Sequence, residues 1–95
     1  MTSKQRAYLR GLANTLQPIF QIGKIGLSDN LIKQLDDALE ARELIKISVL
    51  ETAPDDVKSL GEEIAKNTNS VCVQTIGNKI TLYRARKKDP KIMVF

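Results

Sequence analysis

The sequence predicts an α/β fold, a single domain in the order helix-strand-helix-strand-helix-strand-strand, with a four-stranded mixed sheet packed with three helices. Three observations predict it. Apolar residues recur at helical spacing in three separate stretches, short apolar runs lie between them, and Gly77-Asn78 separates the last two runs as a two-residue hairpin turn. A helix between the first two strands makes that pair parallel with a right-handed connection, while the tight turn makes the last pair antiparallel.

Thr2-Ser3-Lys4-Gln5 contains a Thr-x-x-Gln capping box, and Leu9, Leu12, Ala13 and Leu16 follow on one face, which predicts a helix over 3–15. Gly11 inside it costs roughly 1 kcal/mol relative to Ala unless close packing or backbone approach requires it. Asn14 and Pro18 mark its exit, and Ile19-Phe20-Gln21-Ile22 is a short strand. Leu31, Ile32, Leu35, Ala38 and Leu39 define a second helix from Asp29 to Ala41 or Arg42, with Lys33, Asp36, Asp37 and Glu40 expected as a solvated face. Leu44–Leu50 reads as the second strand, with Ile45, Ile47 and Val49 on one side and Lys46 displayed on the other. Thr52-Ala53-Pro54-Asp55 is expected to start the third helix, with Val57, Leu60, Ile64 and Ala65 as its buried stripe. Strands over 71–76 and 79–85 complete the sheet. The domain is expected to run to residue 88, leaving 89–95 as a tail that either folds back on the sheet or stays loose.

Composition excludes several classes. Ninety-five residues suit one modest core, and 42% hydrophobic with 27% charged residues fits a globular chain with no membrane span, expected in the cytoplasm. Cys72 is the single cysteine and histidine is absent, so an internal disulfide, a Cys/His metal cluster and a histidine-activated thiol are all ruled out. Asp36-Asp37 offers paired carboxylates, but adjacent helical residues point about 100° apart and no partner base follows. With no Walker-type run either, neither an enzyme nor a cofactor is expected. The formal charge of +4 is unevenly spread: residues 1–26 hold Lys4, Arg6, Arg10 and Lys24 without an acid, whereas 27–65 hold ten of the eleven acids. After residue 65, seven basic residues face only Asp89. Basic termini around an acidic middle fit a polyanionic partner.

The most informative stretch is Gly23-Lys24-Ile25-Gly26-Leu27-Ser28, between the first strand and the second helix. Two glycines permit a tight turn and close approach of another molecule to the main chain. Ser28 is a good N-cap, Leu27 is placed to staple against Ile32, and Lys24 adds a positive charge beside the helix N-terminus. A phosphate suits such a corner.

With this loop, the element order, Leu12-Ala13 with Leu16-Gln17-Pro18, the run from Ala38 to Ile47 and the run from Gln74 to Arg84 resemble the CRM domain family, especially its small stand-alone bacterial YhbY-type members. That resemblance implies a fold similar to the C-terminal domain of bacterial translation initiation factor 3. It also implies a non-catalytic module whose Gly-x-x-Gly loop and basic surface bind structured RNA, in small bacterial members the ribosomal RNA of large-subunit precursors. Gly23 and Gly26 are then expected to admit the backbone, Ile25 to give an apolar contact and Lys24 to neutralise phosphate. Arg6, Arg10, Arg84 and Arg86, with Lys4, Lys46, Lys87 and Lys88, are expected to extend the footprint. Tyr83 is open to either packing or base stacking. A monomer is expected, with ribosomal proteins as further partners. Competing readings are a protein-interaction adaptor that uses the acidic second and third helices, and a factor for other structured RNA of the intron-splicing kind.

Overall fold

The structure, a computed structural model, describes residues 1–92. The predicted capping box is present, since the Thr2 hydroxyl accepts from the Gln5 N–H and the Gln5 side chain from the Thr2 N–H, and it opens α1 (Ser3–Ala13). β1 (Phe20–Ile22), α2 (Asp29–Arg42), β2 (Leu44–Val49), α3 (Val57–Thr68), β3 (Val71–Ile76) and β4 (Lys79–Tyr83) follow in the predicted order.

The sheet is mixed, in the order β1-β2-β4-β3, with β1 and β2 parallel and β4 antiparallel to both of its neighbours. Its register places the site. Ile22 pairs with Val49, Ser48 with Lys79 and Ile76 with Lys79, so the exits of β1, β2 and β3 gather at one end with the Gly77-Asn78 turn. Leu44, Val71 and Tyr83 pair at the opposite end. We call these the loop end and the far end.

Strand alternation assigns the two faces. Ile22, Ile45, Ile47, Val49, Ile80 and Leu82 pack on Leu35 and Leu39 of α2 and on Leu60 and Ile64 of α3, forming the main core. Each such side chain contributes about 1.5–3 kcal/mol when fully buried. On the other face, Leu9 and Ala13 of α1 pack with Leu44 and Val73, joined by Leu16, Tyr83 and Ile92. Tyr83 is therefore packed, and burial followed by the nearby Glu43 charge pushes its phenol above the ordinary value. The second core is small, and α1 gains a polar tie: Arg6 donates to the carbonyls of Cys72 and Val73 at 2.7 and 2.9 Å, where β3 bulges.

α1 ends at Ala13, β1 starts at Phe20 and β2 ends at Val49, each a residue or two short of expectation, and two further boundaries differ for identifiable reasons. α3 starts at Val57 because Asp56, not Thr52, is its N-cap, accepting from the Ser59 N–H at 2.7 Å. That hydrogen bond holds the Asp56 carboxyl below its ordinary range, helped by the Ser59 side chain and by Lys58. Pro54 and Asp55 are spent on the turn before the helix, and a Cβ at Gly26 would stand 3.0 Å from the Pro54 ring. β4 ends at Tyr83, since the Arg84 N–H turns to the Glu43 carbonyl.

Candidate nucleic-acid interface

Gly23-Lys24-Ile25-Gly26 closes as a four-residue turn in which the Gly26 N–H donates to the Gly23 carbonyl at 2.9 Å. The two glycines serve different needs. Gly26 is buried with φ +75°, a conformation that side chains resist, while Gly23 lies where a Cβ would touch the Leu50 side chain at 3.4 Å. Between them Lys24 is exposed, and Ile25 is 87% exposed, the largest exposure among the exposed large hydrophobics. The turn leads into Ser28, whose hydroxyl accepts from the Leu31 N–H and so caps α2. Leu27 and Ile32 both pack against the main core. Asp29, in the first turn of α2, already complements the helix dipole, so Lys24 and not the helix end is the main attraction for an anion here.

On the α1 face of the sheet, the register sets Lys79 at the loop end and Lys46 nearer the far end, in a groove with Gln17, Arg42 and Leu44. Lys46 and Lys79 project from the face opposite the main core, because Ile45, Ile47 and Ile80 point into that core. Arg6 borders a groove with Lys58, Glu62, Gln74 and Thr75 at the β3 edge of the sheet. Arg10 is exposed, whereas Arg6 is half-buried and committed to β3. Lys4 is exposed at the start of α1. Lys79, whose Nζ donates to Asn78, was missed by the sequence reading; the hairpin register that carries it to the loop end was its available signal. On the α3 side, Glu51, Asp55 and Asp56 line a neighbouring groove with Leu50 and Asn78. The loop end thus carries Lys24 and Lys79 next to an acidic groove, which disfavours a polyanion on the α3 side.

Arg84 and Arg86 do not join this cluster. They follow Tyr83 at the far end, separated from the loop by the length of β2. The Arg84 side chain is only 15% exposed and its guanidinium is engaged by the Asp36 carboxylate, by the Thr68 and Asp36 carbonyls at 2.8 and 3.0 Å, and by Glu40 at 3.3 Å. Arg84 is therefore a clamp between α2, α3 and the end of β4. Asp36 and Glu40, expected as solvated surface, are its partners. Glu43 also escaped the sequence reading. It stands at the end of α2 with φ 67° and 1% exposure, and its carboxylate accepts the N–H groups of Arg86, Lys91 and Ile92 at 3.3, 2.6 and 3.1 Å. The Lys87 N–H goes to Glu40. Of the two expectations for the tail, folding back describes residues 89–92, while 93–95 lie outside the described residues.

Cys72 lies half-buried beneath α3, close enough that a Cβ at Gly61 would stand 3.0 Å from its Sγ, and burial raises its thiol above the ordinary value. It packs as a small hydrophobe. Among the described residues no cluster of His, Cys, Asp or Glu could hold a metal, and no helix is long and apolar enough to cross a membrane.

Residues 1–84 match the CRS1/YhbY (CRM) domain family. The chain belongs to this family. Among CRM relatives, the probable RNA-binding protein YqeI of Bacillus subtilis is 50% identical over 92 residues, 97% of this chain and 96% of the relative. A protein of Haemophilus influenzae named RNA-binding protein is 33% identical across 88% of this chain and 85% of its own. The CRM fold is also that of a solved relative: the solution structure of SAV1595 from Staphylococcus aureus covers 99% of this chain and 98% of its own, with a TM-score of 0.83 and 50% identity.

Proposed function

We propose that this CRM protein is a non-catalytic RNA-binding protein of the cytoplasm that engages ribosomal RNA in precursors of the large subunit. The observation that supports this most is the Gly23–Gly26 turn, which holds an exposed lysine and an apolar side chain, Ile25, that is 87% exposed. Lys24, with Lys79 at the same end of the sheet, neutralises phosphates, and Ile25 packs on a base or sugar exposed by an unpaired loop. Four aromatic residues in the chain leave little scope for base stacking, so electrostatics dominates affinity. The names of the relatives as RNA-binding proteins support the class of ligand. The adaptor reading loses ground because Asp36 and Glu40, part of its acidic surface, are occupied by Arg84.

Sedimentation of the tagged protein through ribosome gradients at low and moderate salt tests this. Wild type is expected in large-subunit precursor fractions with ribosomal RNA, and Lys24→Glu at the top of the gradient. Wild type at the top throughout, or a Lys24→Glu variant that still co-sediments, would overturn RNA-directed assembly through the loop.

A further inference from the structure

The segment after β4 combines a backbone that is tied down with side chains that are not. Its N–H groups at Arg86, Lys87, Lys91 and Ile92 are held by the carboxylates of Glu43 and Glu40, so the acids nearest to this strap are spent on main chain and on Arg84. The side chains of Arg86, Lys87, Lys88 and Lys91 have no carboxylate partner among the described residues, and all but half-buried Arg86 are exposed. Asp89 is the single acid within the strap. The family match ends at residue 84, just before it.

Position decides what such a strap does. It leaves the far end of the sheet, and the six residues of β2 between Glu43 and Leu50 span about 20 Å. The Debye length at physiological salt is about 8 Å, so cations at the two ends do not act as one electrostatic patch. We propose that the 86–91 strap is a second, independent phosphate-binding site, and that the protein bridges two RNA segments, one at the glycine loop and one at the strap. A flexible cationic tail would lose conformational entropy on every contact; here Glu43 and Glu40 have already fixed the main chain, so the cations are presented in a set arrangement. This inference rests on the RNA-binding reading of the loop.

The test uses short hairpin RNAs of unrelated sequence carrying donor or acceptor dyes, with protein at half the total RNA concentration so that energy transfer needs two RNAs on one molecule. Full-length wild type is compared with Lys24→Glu and with the charge-neutral triple variant Lys87→Gln/Lys88→Gln/Lys91→Gln, each checked for native amide protection at Glu43-bound residues. Wild type is expected to give transfer, and each variant to bind one hairpin without it. The triple variant should also lower the log-affinity against log-salt slope by roughly 2 to 3 for three lost phosphate contacts. A folded triple variant that bridges as well as wild type, with an unchanged slope, overturns the second site while leaving loop binding intact. An acidic protein, not RNA, as occupant of the strap would give that same result. Wild type that binds no hairpin at low salt overturns the underlying reading instead.

Discussion

Gly23 and Gly26 look equivalent in the sequence and are opposite in kind. At Gly26 any side chain meets both a positive φ and the Pro54 ring, so Gly26→Ala is expected to destabilise the fold by about 1–2 kcal/mol from backbone strain alone, with the ring contact adding to it. Gly23 has neither problem, because a Cβ there makes an ordinary contact with Leu50. Gly23→Ala is therefore expected to melt within a degree or two of wild type yet bind RNA more weakly, because its methyl, beside Leu50 and Thr52, narrows the approach of a ligand to the turn from that side. Parallel melting and binding curves separate the two roles, and a Gly23→Ala variant with wild-type affinity would remove close backbone approach from the mechanism. Gly11 shows the limit of reading such residues from sequence. Among the described residues nothing lies within 4 Å of a Cβ built on it, so no packing there explains why it is not Ala.

At the scale of elements, α2 is where sequence reasoning was both strongest and least complete. Its apolar spacing, its Ser28 cap and its place between parallel strands were legible, because periodicity and capping are local. The use of its acids was not, because Asp36, Glu40 and Glu43 acquire their partners from residues 43 to 49 positions away, through a sheet order that local patterns do not encode. The same omission assigned Arg84 to the ligand. Glu43 is the sharpest case, an acid at a helix-ending positive-φ position where glycine is usual, retained here because its carboxylate holds the strap. Glu43→Gln keeps an acceptor but loses the charge, and is expected to cost about 1.5–3 kcal/mol and to loosen 86–92. It should also move the Tyr83 titration part of the way back towards the ordinary phenol value, burial being the larger cause of the upward shift. Because folding raises that pKa, Tyr83's contribution to stability is complete below the ordinary value and is lost as pH rises through the raised one. Ultraviolet pH titration with amide exchange measures both effects, and an unmoved Tyr83 with full protection would show that the Glu43 charge does not organise this end.

For the whole molecule, what matters is where charge lies and not its sum. A formal +4 is modest, yet the fold places Lys24 and Lys79 at the loop end and gathers Glu51, Asp55 and Asp56 in a groove on its α3 side. Lys33 provides the control, an exposed lysine of α2 with no part in that cluster. Lys24→Glu and Lys33→Glu each lower the net charge by two. If attraction followed net charge, the two variants would weaken RNA binding alike; if it follows placement, only Lys24→Glu removes a phosphate contact. The expected outcome is a salt slope smaller by about 1 for Lys24→Glu and unchanged for Lys33→Glu, with a clear affinity loss in the first alone. Equal losses would mean that the glycine loop has no privileged place and that RNA reads only the overall field of the protein.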